Sequence, residues 1–173
     1  GRKTTKTCSR KTNLSDTSNI KVVNVVATAE LGQTVALELL SLEPGFLFDN
    51  AIYPCAYFKD KKTKGKVSIF RTGKMISIGT TSLEDAKLDL NYAARRLRDL
   101  HMTKTSRVKV KLQNMVAVLD IGTSIDVESL SKKLHNLIYE PEQFPGAIYW
   151  ASELEGAAML LFSSGKIVFV GLK

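Results

Sequence analysis

The sequence predicts an α+β protein: one long antiparallel sheet made from two copies of a single module, related by a pseudo-dyad, with helices on one face. Three observations predict it. First, Asn24–Gly32 (NVVATAELG), Tyr53-Pro54 and Phe70–Gly79 (FRTGKMISIG) recur as Asn114–Gly122 (NMVAVLDIG), Phe144-Pro145 and Phe162–Gly171 (FSSGKIVFVG), at offsets of 90, 91 and 92. Three blocks in one order at nearly one spacing mark a duplication, and the period is too long for a solenoid unit. Second, each copy holds several short apolar runs split by turn residues, the mark of antiparallel strands. Third, the amphipathic helices between them can cover only one face of a sheet.

Bulk properties narrow the classes. The 173 residues, 44% of them hydrophobic, suffice for a real core in one domain or two small halves. No run reaches the length of a membrane span, and no N-terminal apolar segment suggests secretion. Cys8 and Cys55 lie far apart in no metal or redox spacing, as expected of free thiols in an intracellular protein. The formal net charge of +8 favours a polyanionic partner such as nucleic acid.

Residues 1–18 carry Arg2, Lys3, Lys6, Arg10 and Lys11 before the first acid. They hold too little apolar surface to order themselves, which predicts a disordered basic arm. The first repeat is assigned to residues 19–104. Its opening strand, Lys21–Ala29, is apolar in both alternation phases apart from Asn24, so both of its faces need apolar company. Gly32 ends that strand. Val35–Leu40 is spaced for a short helix, stopped by Glu43-Pro44-Gly45. Three short strands follow, Tyr53–Lys59, Val67–Arg71 and Met75–Ile78, divided by the Lys61–Lys66 turn and by Thr72-Gly73. Ser82–Leu100 is the clearest helix. Ser82 with Asp85 resembles a capping box, Glu84 and Asp85 suit its first turn, and Arg95, Arg96 and Arg98 suit its end. Leu83, Ala86, Leu90, Ala93, Ala94 and Leu97 form its apolar stripe.

The second repeat, residues 105–173, restarts the pattern with a strand over Val110–Leu119 that again carries an asparagine, Asn114. Val127–Leu137 is spaced for a short helix. Tyr139–Gly171 supplies an acidic, proline-bracketed turn (Glu140-Pro141-Glu142-Gln143-Phe144-Pro145-Gly146) and three more strands. The chain ends where the first repeat enters its long helix, so the duplication predicts a natural sequence longer by roughly twenty residues, judged from the first helix.

Joining the half-sheets leaves one face without helices. It carries Asn24, Val26, Phe70, Ile76 and Ile78 with their counterparts Asn114, Val116, Phe162, Val168 and Val170, flanked by Lys74 and Lys166. An apolar surface of that size marks a binding site. The DNA minor groove suits it, because its floor offers mostly acceptors and apolar wedges enter between base steps. The alternative is that another chain covers this face as ordinary core. Nothing points to an enzyme, cofactor or metal: His101 and His135 are isolated, and SSGK and RTGK lack the rest of a phosphate loop.

EPEQFPG, FSSGK and the paired NVVA/NMVA blocks resemble the TATA-box-binding protein family in its archaeal-like wording, over about residues 20–173. The resemblance implies a saddle, a curved antiparallel sheet with DNA under the concave face and helices on the convex face. Carried over by motif, Tyr53, Phe70, Phe144 and Phe162 would be the aromatic wedges. Asn24 and Asn114 would donate to base acceptors. Val26, Val116, Ile76 and Val168 would pack on the groove floor, with Ile78, Leu160 and Val170 beside them. Thr72, Lys74, Ser164 and Lys166 would serve the phosphates, and Lys59 would also bind the DNA. Glu140, Glu142 and Gln143 would meet a transcription factor B-like protein, with the RNA polymerase machinery as a further partner. The implied function is that of a basal transcription initiation factor on A·T-rich promoter DNA, in the nucleoid or cytoplasm if archaeal and in the nucleus if eukaryotic.

The wording departs from the family at definite positions. Tyr53 stands where Phe is usual, Ile78 and Val170 replace threonines that support the asparagines, Lys59 and Trp150 replace arginines, and Ser68 replaces a floor leucine. The first turn has lost most of the EPEQF wording, and the stretch between Phe144 and Phe162 is one residue longer than that between Tyr53 and Phe70. These changes predict shallow discrimination between TATA-like and scrambled A·T sites. Two other functions stay open at this point: a paralogue acting mainly as a protein-interaction module, and an accessory domain of a nucleic-acid enzyme. Retained wedges favour the DNA-bending factor over the interaction module, and a catalytic domain would have to lie outside this chain.

Overall fold

The computed structural model describes residues 19–150 and 152–173, so the basic arm expected over residues 1–18 lies outside the described residues. The first half contains β1 (Ile20–Glu30), β2 (Phe46–Leu47), β3 (Ala56–Phe58), β4 (Lys66–Ile69), β5 (Lys74–Thr80) and α1 (Leu83–Asp99). The second contains β6 (Val110–Asp120), α2 (Val127–Lys133), β7 (Leu137–Ile138), β8 (Ala147–Trp150), β9 (Ala158–Leu161) and β10 (Lys166–Leu172). All ten strands form one antiparallel sheet in the order β2-β3-β4-β5-β1-β6-β10-β9-β8-β7, which reads the same from either edge once the halves are exchanged.

The two opening strands make the seam. Asn24 lies opposite Val116 and Val26 opposite Asn114, on either side of the pair Val25–Met115. Exchanging residues at the offset of 90 turns each flanking pair into the other, so the pseudo-dyad passes through Val25 and Met115. Alternation then sorts the faces. Val25, Ala27 and Ala29 are buried on the helix side, whereas Asn24, Val26 and Thr28 are half-buried on the other.

On the helix side, α1 covers the first half. Ser82 Oγ accepts from the Asp85 amide at 3.0 Å, as its cap spacing predicts. Leu90, Ala93, Ala94 and Leu97 are fully buried and belong to one core with Val25, Ala27, Val67, Ile69 and Met75. Full burial of a leucine is worth about 1.5–3 kcal/mol, so this stripe, rather than helix propensity, fixes α1 in place. Asp89 extends the attachment: though almost wholly buried, it accepts from the Lys64 amide at 3.0 Å and the Gly65 amide at 2.7 Å, clamping the β3–β4 turn onto the helix. Asp89→Ala leaves the buried Gly65 amide without a partner, frees the part-buried Lys64 amide, and lowers unfolding stability by about 3 kcal/mol. A shift of the urea midpoint corresponding to less than about 1 kcal/mol would show that the clamp carries no weight.

The second half has a smaller core, Val127, Leu137 and Ala147 with Ile125, Leu130, Tyr149 and Leu161 around it. Among the described residues no helix stands over Met159 and Phe169, and these side chains are half-buried, whereas Met115 packs against the first-half core.

Five elements differ from the sequence-based expectation. The run expected as a strand over Tyr53–Lys59 pairs only over Ala56–Phe58, because the Tyr53 amide closes a turn onto Asp49 O at 2.8 Å. Val35–Leu40 narrows to a 3-10 turn over Leu37–Leu40. The helix expected over Val127–Leu137 stops at Lys133, since Leu134 is already extended (φ −112°, ψ 113°) and Leu137 opens β7. The two-residue edge strands β2 and β7 are too short to leave a period in the sequence, and each half therefore has five strands where four were expected.

Candidate nucleic-acid interface

The face opposite α1 is built from cross-strand rows. In the first half Tyr57, Ser68, Ile76 and Thr28 lie side by side and end on Lys111. In the second, Ile148, Leu160, Val168 and Val118 lie side by side and end on Lys21. These rows are dyad mates position by position. The predicted residues Asn24, Val26, Ile76, Ile78, Asn114, Val116, Leu160, Val168 and Val170 all fall on this face. Lys74 and Lys166 open the strands at its rim.

At the seam the two asparagines are held identically. Asn24 Oδ1 accepts from the Gly79 amide at 2.9 Å, and Asn114 Oδ1 accepts from the Gly171 amide at 3.0 Å. The side-chain oxygen is thus satisfied within the protein. The free group is the Nδ2 amine, which only donates. The support expected from side chains at 78 and 170 comes instead from the next residue's backbone, so Ile78 and Val170 do not leave the amides loose.

The aromatic pairs differ between halves. Phe144 and Phe162 meet with ring centroids 5.8 Å apart at 68°. Gly146 makes room for them: a Cβ there would stand 2.9 Å from Phe144 Cε1 and 3.0 Å from Phe162 Cε1. Its counterpart in the first half is Cys55, which is buried and does carry a Cβ. Tyr53 there packs edge-on against Tyr57, with centroids 5.4 Å apart at 80°. A hydrogen bond with the Cys55 thiol pushes the Tyr57 phenol above its ordinary range, so that hydroxyl stays neutral. Lys66 Nζ sits 4.3 Å from the centre of the Tyr57 ring.

Phe70 and Phe162 stand at the start of matched hairpins. Phe70 N donates to Lys74 O at 2.9 Å, and Phe162 N donates to Lys166 O at 3.0 Å. Thr72 and Ser164 are exposed at the tips. Glu140, Glu142 and Gln143 are exposed on the β7–β8 turn, closed by Phe144 N donating to Glu140 O at 3.0 Å. Lys59 is exposed beyond the end of β3.

Two hollows of similar size, about 570 and 530 Å³, flank the seam. The first is lined by Thr28, Glu30, Lys74, Lys111 and Gln113, and the second by the mates Val118, Asp120, Lys166, Lys21 and Val23. Sequence reasoning missed Thr28, Tyr57, Lys66, Gln113, Lys21 and Lys111. Strand alternation counted from Asn24 places Thr28 on this face, and Tyr57 and Lys66 join it through the pairings Tyr57–Ser68–Ile76 and Lys66–Ile78. Gln113 stands at an irregularity in the β1–β6 pairing that no periodicity reveals.

Charge is uneven too. The first half has thirteen Lys or Arg against nine Asp or Glu, and the second has seven against seven. Among the described residues no group of three His, Cys, Asp or Glu is placed to hold a metal, and no helix is long and apolar enough to cross a membrane.

These features define a duplicated, saddle-shaped α+β protein that offers its ligand a sheet rather than a helix. Residues 19–100 and 109–173 match the family described as Transcription factor TFIID (or TATA-binding protein, TBP), and the chain belongs to that family of DNA-binding transcription initiation factors. It is 33% identical over 156 residues to the TATA-box-binding protein of Methanobrevibacter smithii, covering 90% of this chain and 86% of that one. It is 36% identical over 159 residues to that of Methanosphaera stadtmanae, covering 89% and 84%. Among solved structures, Methanococcus jannaschii TBP superposes with a TM-score of 0.78 at 31% identity, covering 90% of this chain and 89% of the other.

Proposed function

We propose that this protein is a general transcription initiation factor that binds A·T-rich promoter DNA in the minor groove and bends it. The observation that carries the proposal is the pair of asparagine amides at the seam. Each has its oxygen held by a glycine amide, and each offers only donors at the centre of an apolar face. The minor groove of an A·T pair presents only acceptors, adenine N3 and thymine O2. Val26, Val116, Ile76, Val168, Ile78, Leu160 and Val170 then exclude water from the groove floor. Tyr53, Phe70, Phe144 and Phe162 enter at the two ends of the bound site and partly unstack a base step. That step costs a few kcal/mol, a figure drawn from this family and from other wedge-inserting proteins, and the extra contact made by bent DNA offsets it. Lys59, Thr72, Lys74, Ser164 and Lys166 hold phosphates, and the Glu140–Gln143 turn receives a transcription factor B-like protein that brings in the polymerase.

The test is a mobility-shift and end-to-end fluorescence-transfer assay on an A·T-rich duplex, with and without transcription factor B. Binding with a rise in transfer, strengthened by the factor, is expected; binding without bending would contradict the wedge mechanism. Changing Lys74 and Lys166 together to alanine is expected to reduce the slope of log K against log salt by about two. An unchanged slope would remove both lysines from the phosphate contacts.

A further inference from the structure

We infer that the two halves of the saddle read different base pairs: the first half accepts a G·C pair on the groove floor, and the second refuses one. The inference rests on the minor-groove reading above.

It comes from comparing dyad mates within the chain. On the floor, Ser68 in the first half stands where the second has Leu160, and Thr28 where the second has Val118. Gln113 reaches from the seam to the first-half side, and Val23 is its mate on the other. Gln113 Nε2 donates to Thr28 Oγ1 at 2.8 Å, which leaves Gln113 Oε1 as an acceptor within the first hollow. All three differences put the polar member on the same half. The wedge-bearing hairpins, the asparagines and the rim lysines are kept in both.

Minor-groove chemistry gives this asymmetry its meaning. A·T and T·A present acceptors alone, and G·C adds the guanine N2 amino group, a donor that projects from the floor. Against Leu160 and Val118 that amino group loses its water and finds no partner, while the bulk of the leucine leaves it little room. The first half instead offers it two separate places: beside Ser68, a smaller side chain with an acceptor oxygen, or, across the intervening strands β5 and β1, beside the acceptor Oε1 of Gln113. The protein is therefore expected to seat on a promoter element with one pure A·T half-site and one half-site containing guanine, its first half over the guanine.

The test uses three duplexes at one salt concentration: all A·T, one G·C pair in one half-site, and one G·C pair in each half-site. Wild-type protein is expected to bind the first two within about threefold and the third at least about tenfold more weakly, the usual scale of a mismatched pair. Inosine in place of guanine removes only the N2 amino group, and it should restore binding to the third duplex. Ser68→Leu with Gln113→Val should open a gap of about tenfold between the first two duplexes, again closed by inosine. Leu160→Ser should narrow the gap between the second and third. The inference is overturned if wild type loses as much on the second duplex as the double variant does, or if the variants leave these ratios unchanged. Failure of wild type to bind the all-A·T duplex would overturn the minor-groove reading itself, and this inference with it.

Discussion

Replacing Phe144 and Phe162 together by alanine abolishes bending of an A·T-rich duplex by this protein. The two rings are half-exposed, meet edge to face at 5.8 Å, and stand on the β7–β8 turn and the β9–β10 hairpin. Gly146 leaves the space in which they meet. They lie outside the buried clusters of both halves, so their loss costs the fold little more than the pair's own contact, about 0.5–1.5 kcal/mol. The effect on DNA is far larger. Unbent DNA has a minor groove only about 6 Å wide, and a ten-stranded sheet cannot lie on its floor unless the groove opens. Without this pair one end of the groove stays closed, and the seam asparagines and the valines around them lose their contacts together. Affinity should fall by at least about 4 kcal/mol, roughly a thousandfold, as expected when interface anchors are removed. Fluorescence transfer between duplex ends should stay at its free-DNA value with the double variant. Wild-type bending by the variant would show that these rings are not wedges. Tyr53 and Phe70 of the first half wedge the opposite end of the site and cannot reach the base step that this pair opens.

The second large effect concerns folding. Gly73 and Gly165 occupy matched hairpin tips with φ of +89° and +93°, and a Cβ at either would stand 2.0 Å from a backbone oxygen, Gln33 O or Thr123 O. Those oxygens belong to turns that the hairpins themselves hold: Leu31 N donates to Gly73 O at 2.9 Å, and Ile121 N donates to Gly165 O at 3.1 Å. Gly165→Ala must either displace the turn and break its hydrogen bonds or rotate out of the left-handed region. Strain of about 1–3 kcal/mol adds to the lost bonds, and a total of about 4 kcal/mol is expected. Gly122 is the internal control, with φ of +71° and open space around its Cβ position. Gly122→Ala should cost about 1–2 kcal/mol, the left-handed penalty alone. Equal urea midpoints for the two variants would contradict this account of the hairpin tips.

How far the sequence carried depends on the range of the interactions involved. The duplication, the seam strands and α1 leave long periodic signals, and their positions were legible to within a residue or two. The asparagines were legible as polar intruders in apolar strands. Their anchoring was not, because the donors, Gly79 and Gly171, lie 55 and 57 residues further along the chain. For the same reason Ile78 and Val170 looked like lost support, although the backbone supplies it. The edge strands β2 and β7 were invisible because two residues carry no period. The floor's asymmetry was only partly legible: Ser68 stood out in place of a floor leucine, whereas Thr28 and Gln113 are unremarkable singly. They acquire meaning only when the pairing register sets each beside its mate.

The central claim, recognition through the minor groove, is tested most directly by replacing the A·T pairs of a bound duplex with inosine–cytosine pairs. These keep the acceptor pattern of the minor groove and change the major groove throughout. The account predicts affinity within about threefold of the A·T duplex, with bending retained, because the change is smaller than the cost of a single misread pair. A loss of about a hundredfold or more, roughly 2.7 kcal/mol, would show that the protein reads the other groove and would contradict the claim.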